Sequence, residues 1–119
     1  MSASHAPALD AIAFQLAAGL EKYEESVQRM VDNWLDMELY RTVSEEIEEI
    51  RMYSAALPQL SVAWVELLIA HAELVHCLWR GEHAATLPDG RTLPQVREHH
   101  RACVATLRSR CLRLLARGD

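Results

Sequence analysis

Glycine and proline are scarce in this chain, four of each in 119 residues. That excludes a collagen-like or loop-dominated polypeptide and suits helices, which need few turn residues. Aromatic residues are few, at 6%, and lysine is nearly absent, with Lys22 alone beside eleven arginines. The arginine bias reads as genome composition before function. The three cysteines, Cys77, Cys103 and Cys111, form an odd and sparse set. A disulfide framework is excluded, and reduced thiols in an intracellular protein are expected. No Lys or Arg precedes the apolar stretch Ala11–Leu20, so no secretory leader is expected. The most apolar segment, Val62–Trp79, is interrupted by Glu66, His71, Glu73 and His76, whereas a membrane span needs about 20 mostly uncharged residues. These absences predict a soluble, cytoplasmic protein without membrane contact. There is also no Gly-rich phosphate loop, no Gly-x-Ser-x-Gly and no nucleophile beside a carboxylate pair. A non-enzyme without a cofactor is therefore expected.

What is present is helical periodicity. Half of the chain is hydrophobic and 24% is charged, enough to bury one core in a single domain over residues 1–119. Residues 1–7 are expected as a flexible tail and 82–91 as a loop. Leu9, Ile12, Leu16, Leu20, Tyr23, Val27, Met30 and Trp34 recur at steps of three and four. Tyr40, Val43, Ile47, Ile50 and Leu57 form a second series. At about 100° per residue the two series point in nearly opposite directions. The first half must therefore break near Asp32-Asn33, where either residue suits an N-cap, or continue as one long helix shared with a second subunit.

A third helix is predicted from Ser61, as its cap, to Arg80, with Gly81 as the stop. Trp64, Val65, Leu67, Leu68, Leu74, Val75, Leu78 and Trp79 make it apolar nearly all round, which places it at a bundle centre or in a subunit interface. Pro88-Asp89-Gly90 is a turn signature. Thr92 and Gln95 open the last helix as a capping box and it runs to about Ala116. Its stripe of Val96, His100, Cys103, Leu107, Cys111 and Leu114 is flanked by arginines.

Charge is unevenly distributed. Residues 1–57 carry 11 acidic and 4 basic side chains, whereas 90–119 carry seven arginines against Glu98 and Asp119. A basic last helix in an acidic chain is expected to lie along the acidic half, within one subunit or across two. Nucleic-acid binding through Arg97, Arg101, Arg108, Arg110, Arg113 and Arg117 is the competing use.

Two spacings carry metal chemistry. Glu73 and His76 have the Glu-x-x-His spacing of di-iron bundles, which need two copies; only one is present, so a surface pair of Glu73 with His76 or Arg80 is the plainer reading. His99 and Cys103 stand at i, i+4, and with His100, His71, Cys77 and Cys111 nearby a zinc site is conceivable. A haem between His71 and His100 would need facing helices, and no attachment motif accompanies it. Buried neutral histidines with hydrogen-bond partners account for His71 and His100 more simply. The run Glu45–Glu49 reads as a solvated helix face, supported by an Arg41–Glu45 pair.

These observations predict an all-α fold, a small antiparallel bundle of three or four helices, assembled as a homodimer. The function expected is that of a bacterial adaptor, chaperone-like or regulatory module that works through a helical surface on itself or on another protein. Trp34, Leu35, Met37, Tyr40, Trp64 and Trp79 are the candidate interface residues, because aromatic anchors concentrate binding energy. The alternative is a metal- or haem-binding bundle using Glu73, His76, His99, His100 and Cys103.

Overall fold

A computed structural model describes residues 2–80 and 87–117, with side chains for 8–80 and 87–116. Among these residues there are four α-helices: α1 (Ser2–Asp32), α2 (Met37–Ala55), α3 (Ser61–Trp79) and α4 (Leu93–Arg117), with a 3-10 turn at Pro58–Leu60 before α3. The molecule is an all-α bundle within an envelope of 57 × 28 × 17 Å. α1 begins at Ser2, inside the segment read from sequence as a tail. Of the 82–91 loop, residues 82–86 lie outside the described residues, as does Gly81, the expected helix stop.

The face switch in the first half is resolved by a break. Asn33 ends α1, its amide and its side chain both donating to the Arg29 carbonyl. Asp36 then caps α2 by accepting from the amides of Glu38 and Leu39. The chain therefore takes the two-helix alternative, with the cap on Asp36 rather than on Asp32 or Asn33. Both apolar series now face one core. Leu16, Leu20, Tyr23, Val27 and Met30 of α1 meet Val43 and Ile50 of α2, all buried. Each fully buried side chain of this size contributes roughly 1.5–3 kcal/mol.

Ser61 does not cap α3. It already has helical backbone angles, φ −58° and ψ −42°, because the 3-10 turn feeds directly into the helix. The Pro88–Gly90 turn forms as expected: the Gly90 amide donates to the Leu87 carbonyl, and its φ of 90° suits glycine. The Gln95 side chain accepts from the Thr92 amide, half of the expected capping box at the start of α4.

The order of packing determines what α3 can do. α1 packs against both α2 and α4, α4 packs against α3, and α2 touches α3 only lightly. The most apolar helix is therefore an edge helix rather than a central one. Its stretch Pro58–Trp79 is long and apolar enough to cross a bilayer by length and composition, and only 33% of that window is buried.

Candidate interaction surface

α3 buries one stripe and exposes another of nearly equal greasiness. Ala63, Leu67, Ala70, Leu74, Cys77 and Leu78 face the core. On the opposite side Val62 (62% exposed), Val65, Leu68, Ile69 and Trp79 stand in solvent, with Ala72 and His76 between them. Ordinary monomers scatter exposed apolar residues singly; a patch running the length of one helix marks an interaction surface. Charge lies along one flank only, as Glu66, Glu73 and Arg80.

The candidate interface residues divide. Trp34, Tyr40 and Trp79 pack edge-to-face on one another, with ring centroids 5.1 to 6.2 Å apart. They close the end of the bundle where the α1–α2 break meets the last turn of α3, and Trp34 and Tyr40 are half-buried there. Leu35 and Met37 stand beside this cluster, about half exposed. Trp64 is separate, half-buried and fifteen residues from Trp79, or about 22 Å along the helix. Beyond the candidate interface residues Trp64 and Trp79, the exposed stripe of α3 includes Val62, Val65, Ile69 and Ala72. The signal was there in their steps of three, four and three.

Inside the bundle three helices meet at one phenol. The Tyr23 hydroxyl lies 2.7 Å from His71 Nδ1 and 2.8 Å from His100 Nε2. Arg97 lies 3.2 Å from His100 Nδ1 and also donates to Glu24 and Gln28 of α1. The donors and acceptors fix one direction. Arg97 can only donate, so His100 Nδ1 accepts and its Nε2–H donates to Tyr23. The Tyr23 hydroxyl then donates to His71 Nδ1, leaving the proton of His71 on Nε2. Burial holds both imidazoles neutral, lowering His71 to about 4 and His100 to about 3, the latter helped by the adjacent Arg97 charge. The same burial raises Tyr23 well above the usual phenol range. These contacts tie α1, α3 and α4 together through one phenol and two neutral imidazoles.

The metal candidates are not brought together. Glu73 is held 2.6 Å from Arg91 rather than by His76 or Arg80, and His76 is exposed. His99 is exposed and its Nε2 sits 3.7 Å from Cys103 Sγ, while His100 turns inward to Tyr23. Among the described residues no three His, Cys, Asp or Glu side chains converge. A haem has no room between His71 and His100, because the Tyr23 ring bridges them. Cys77, Cys103 and Cys111 are buried and free, and desolvation raises all three thiols, so none is an activated nucleophile.

The arginine flank lies along the acidic half within one chain. Arg97 pairs with Glu24, Arg101 reaches Gln28 and Glu24, and Arg108 reaches Glu21. The Glu45–Glu49 run departs from a wholly solvated face. Glu46 is buried at the α1 contact, with neither carboxylate oxygen hydrogen-bonded, and Glu48 rather than Glu45 holds an arginine, Arg51. No family model, curated protein or solved structure matches the chain.

Proposed function

We propose that this chain is a non-enzymatic interaction protein, an antiparallel four-helix bundle that assembles as a homodimer through the outer face of α3. The observation that carries the reading is the exposure of Val62, Val65, Leu68 and Ile69 on the most apolar helix of the bundle. Leaving that surface in water forgoes about 25 cal/mol for every Å² of apolar area, and association recovers it. The arginines that would serve nucleic acid are in part committed to α1, and the polar core has the makings of a scaffold rather than a reaction centre. The Trp34–Tyr40–Trp79 cluster then acts as a buttress that fixes the end of α3, with Trp79 at the rim of the contact.

A seam made by one helix about 28 Å long is small for a specific interface, so the dimer is expected to be reversible, with a dissociation constant on the order of micromolar. Light scattering on the eluted protein tests this. The expected mass is twice the 13.5 kDa of the chain, falling to one chain in Ile69→Glu with helical content unchanged. A wild-type monomer across the whole accessible concentration range overturns the proposal.

A further inference from the structure

The pairing geometry rests on the preceding reading of α3 as the self-association surface, and it specifies the partner's orientation. We propose that two copies of α3 pair antiparallel about a two-fold axis lying between Ile69 and Ala72.

The outward residues Val62, Val65, Ile69, Ala72, His76 and Trp79 step by three and four in strict alternation, the 3.5-residue repeat of a two-helix seam. A two-fold contact uses the same patch on both copies. Two orientations of the seam satisfy that requirement, and the side chains distinguish them. In the antiparallel one, Val62 meets Trp79 of the second copy, Val65 meets its His76, and Ile69 meets its Ala72. A large group faces a small one at every level, so the helix spacing stays even along the seam. In the parallel one, like meets like: Trp79 opposes Trp79 and Ala72 opposes Ala72, which forces the helices apart at one level and leaves a void at the next.

Charge selects the same orientation. Glu66, Glu73 and Arg80 share one flank at seven-residue intervals, while the other flank carries Ser61, Leu68 and Val75. Antiparallel pairing sets the charged flank against itself. Helical side chains lean toward their own N-terminus, and in antiparallel helices that lean carries Glu66 of one copy away from Glu73 of the other and toward its Arg80, twice per dimer. Neither Glu66 nor Arg80 has an ion-pair partner among the described residues, and the charge of Glu73 on the same flank is already met by Arg91. Parallel pairing would face this flank with Ser61, Leu68 and Val75, which offer no counter-charge.

Cysteine cross-linking tests the orientation, and light scattering on the same samples tests the association itself. Val65→Cys mixed with His76→Cys is expected to form an interchain disulfide under mild oxidation, while either variant alone, and the wild type with its buried thiols, does not. Homodimeric cross-links in each single variant would overturn the antiparallel orientation in favour of the parallel one. A dimer that cross-links in none of these samples would place the contact on another face. A protein that stays monomeric refutes the parent reading as well, and if it then binds vesicles of phosphatidylcholine and phosphatidylglycerol, the face belongs to a bilayer. Charge reversal is a second arm. Glu66→Arg and Arg80→Glu each weaken the dimer by about three- to tenfold, and the double reversal restores it; equal loss in the double variant overturns the charge pairing.

Discussion

A single phenol decides whether the centre of this bundle is satisfied. Tyr23 has one proton to give and lone pairs to receive, and it stands between two imidazoles that burial keeps neutral. The sequence placed His71 and His100 on apolar faces, but not their partner, because Tyr23 lies 48 and 77 residues away from them and reads as one more core aromatic in the first series. The arrangement has a pH consequence. Both folded-state values, about 4 and about 3, lie below the ordinary 6.5, so the unfolded chain takes up protons first as pH falls. The stability these groups contribute is present above about pH 6.5 and is lost progressively on acidification toward about pH 3. Between pH 7 and pH 5 the loss is about 4 kcal/mol for the two together, a large part of a domain's total. Urea unfolding at the two pH values checks it, and an unchanged midpoint would mean that the imidazoles are not held neutral. Glu46 shows the opposite side of burial. Its carboxylate lacks a hydrogen bond in a position that the acidic run around it made look solvated, since charge density along a helix does not reveal which single residue turns toward a neighbour.

At the scale of the element, helix ends were harder to read than helix faces. The opposed directions of the Leu16–Met30 and Val43–Ile50 stripes required either a break or a shared rod, and the break is where the switch lies. The sequence does not single out its cap because Asp32, Asn33 and Asp36 are all competent N-cap residues; side-chain hydrogen bonds show that Asn33 closes α1 while Asp36 opens α2. Asp36→Ala is expected to lower stability by about 1 kcal/mol, the usual cost of losing a cap, with Asn33→Ala costing less because the backbone amide of Asn33 already bonds the Arg29 carbonyl. Thermal unfolding of the two variants checks the order, and the reverse order would put the cap on Asn33. α3 illustrates a different ambiguity. Apolar residues all round predict a central or an interface helix alike, and composition cannot choose between them. The choice came from tertiary packing: α1 occupies the centre against α2 and α4, leaving α3 with one close neighbour.

Across the whole molecule, the charge asymmetry of the sequence becomes an internal contact. The acidic first half and the basic last helix meet along α1 and α4, and the pattern of residue types foretold that contact without saying whether one chain or two would make it. Arg97 is its deepest member, 6% exposed and shared by Glu24, Gln28 and His100, and through His100 it joins the Tyr23 hub to α3. One guanidinium thus links the charge balance of the surface to the polar centre of three helices. Removing one partner of a buried ion pair strands the other without compensation, at about 3–5 kcal/mol. Arg97→Ala should therefore destabilise the protein severely. Glu24→Ala leaves the buried Arg97 charge with only the neutral Gln28 and His100 and should cost at least as much, while its loss should matter little once Arg97 is gone. A double-mutant cycle on Arg97→Ala and Glu24→Ala by urea unfolding at pH 7 is expected to give a coupling energy above about 1 kcal/mol, well beyond the 0.3–0.5 kcal/mol scatter of independent sites. Arg101→Ala in the same assay should fall within about 1 kcal/mol of wild type, as an exposed pair does. Simple additivity of Arg97→Ala and Glu24→Ala would show that α4 is held by its apolar stripe alone and that the opposite charges of the two halves lie side by side without binding them.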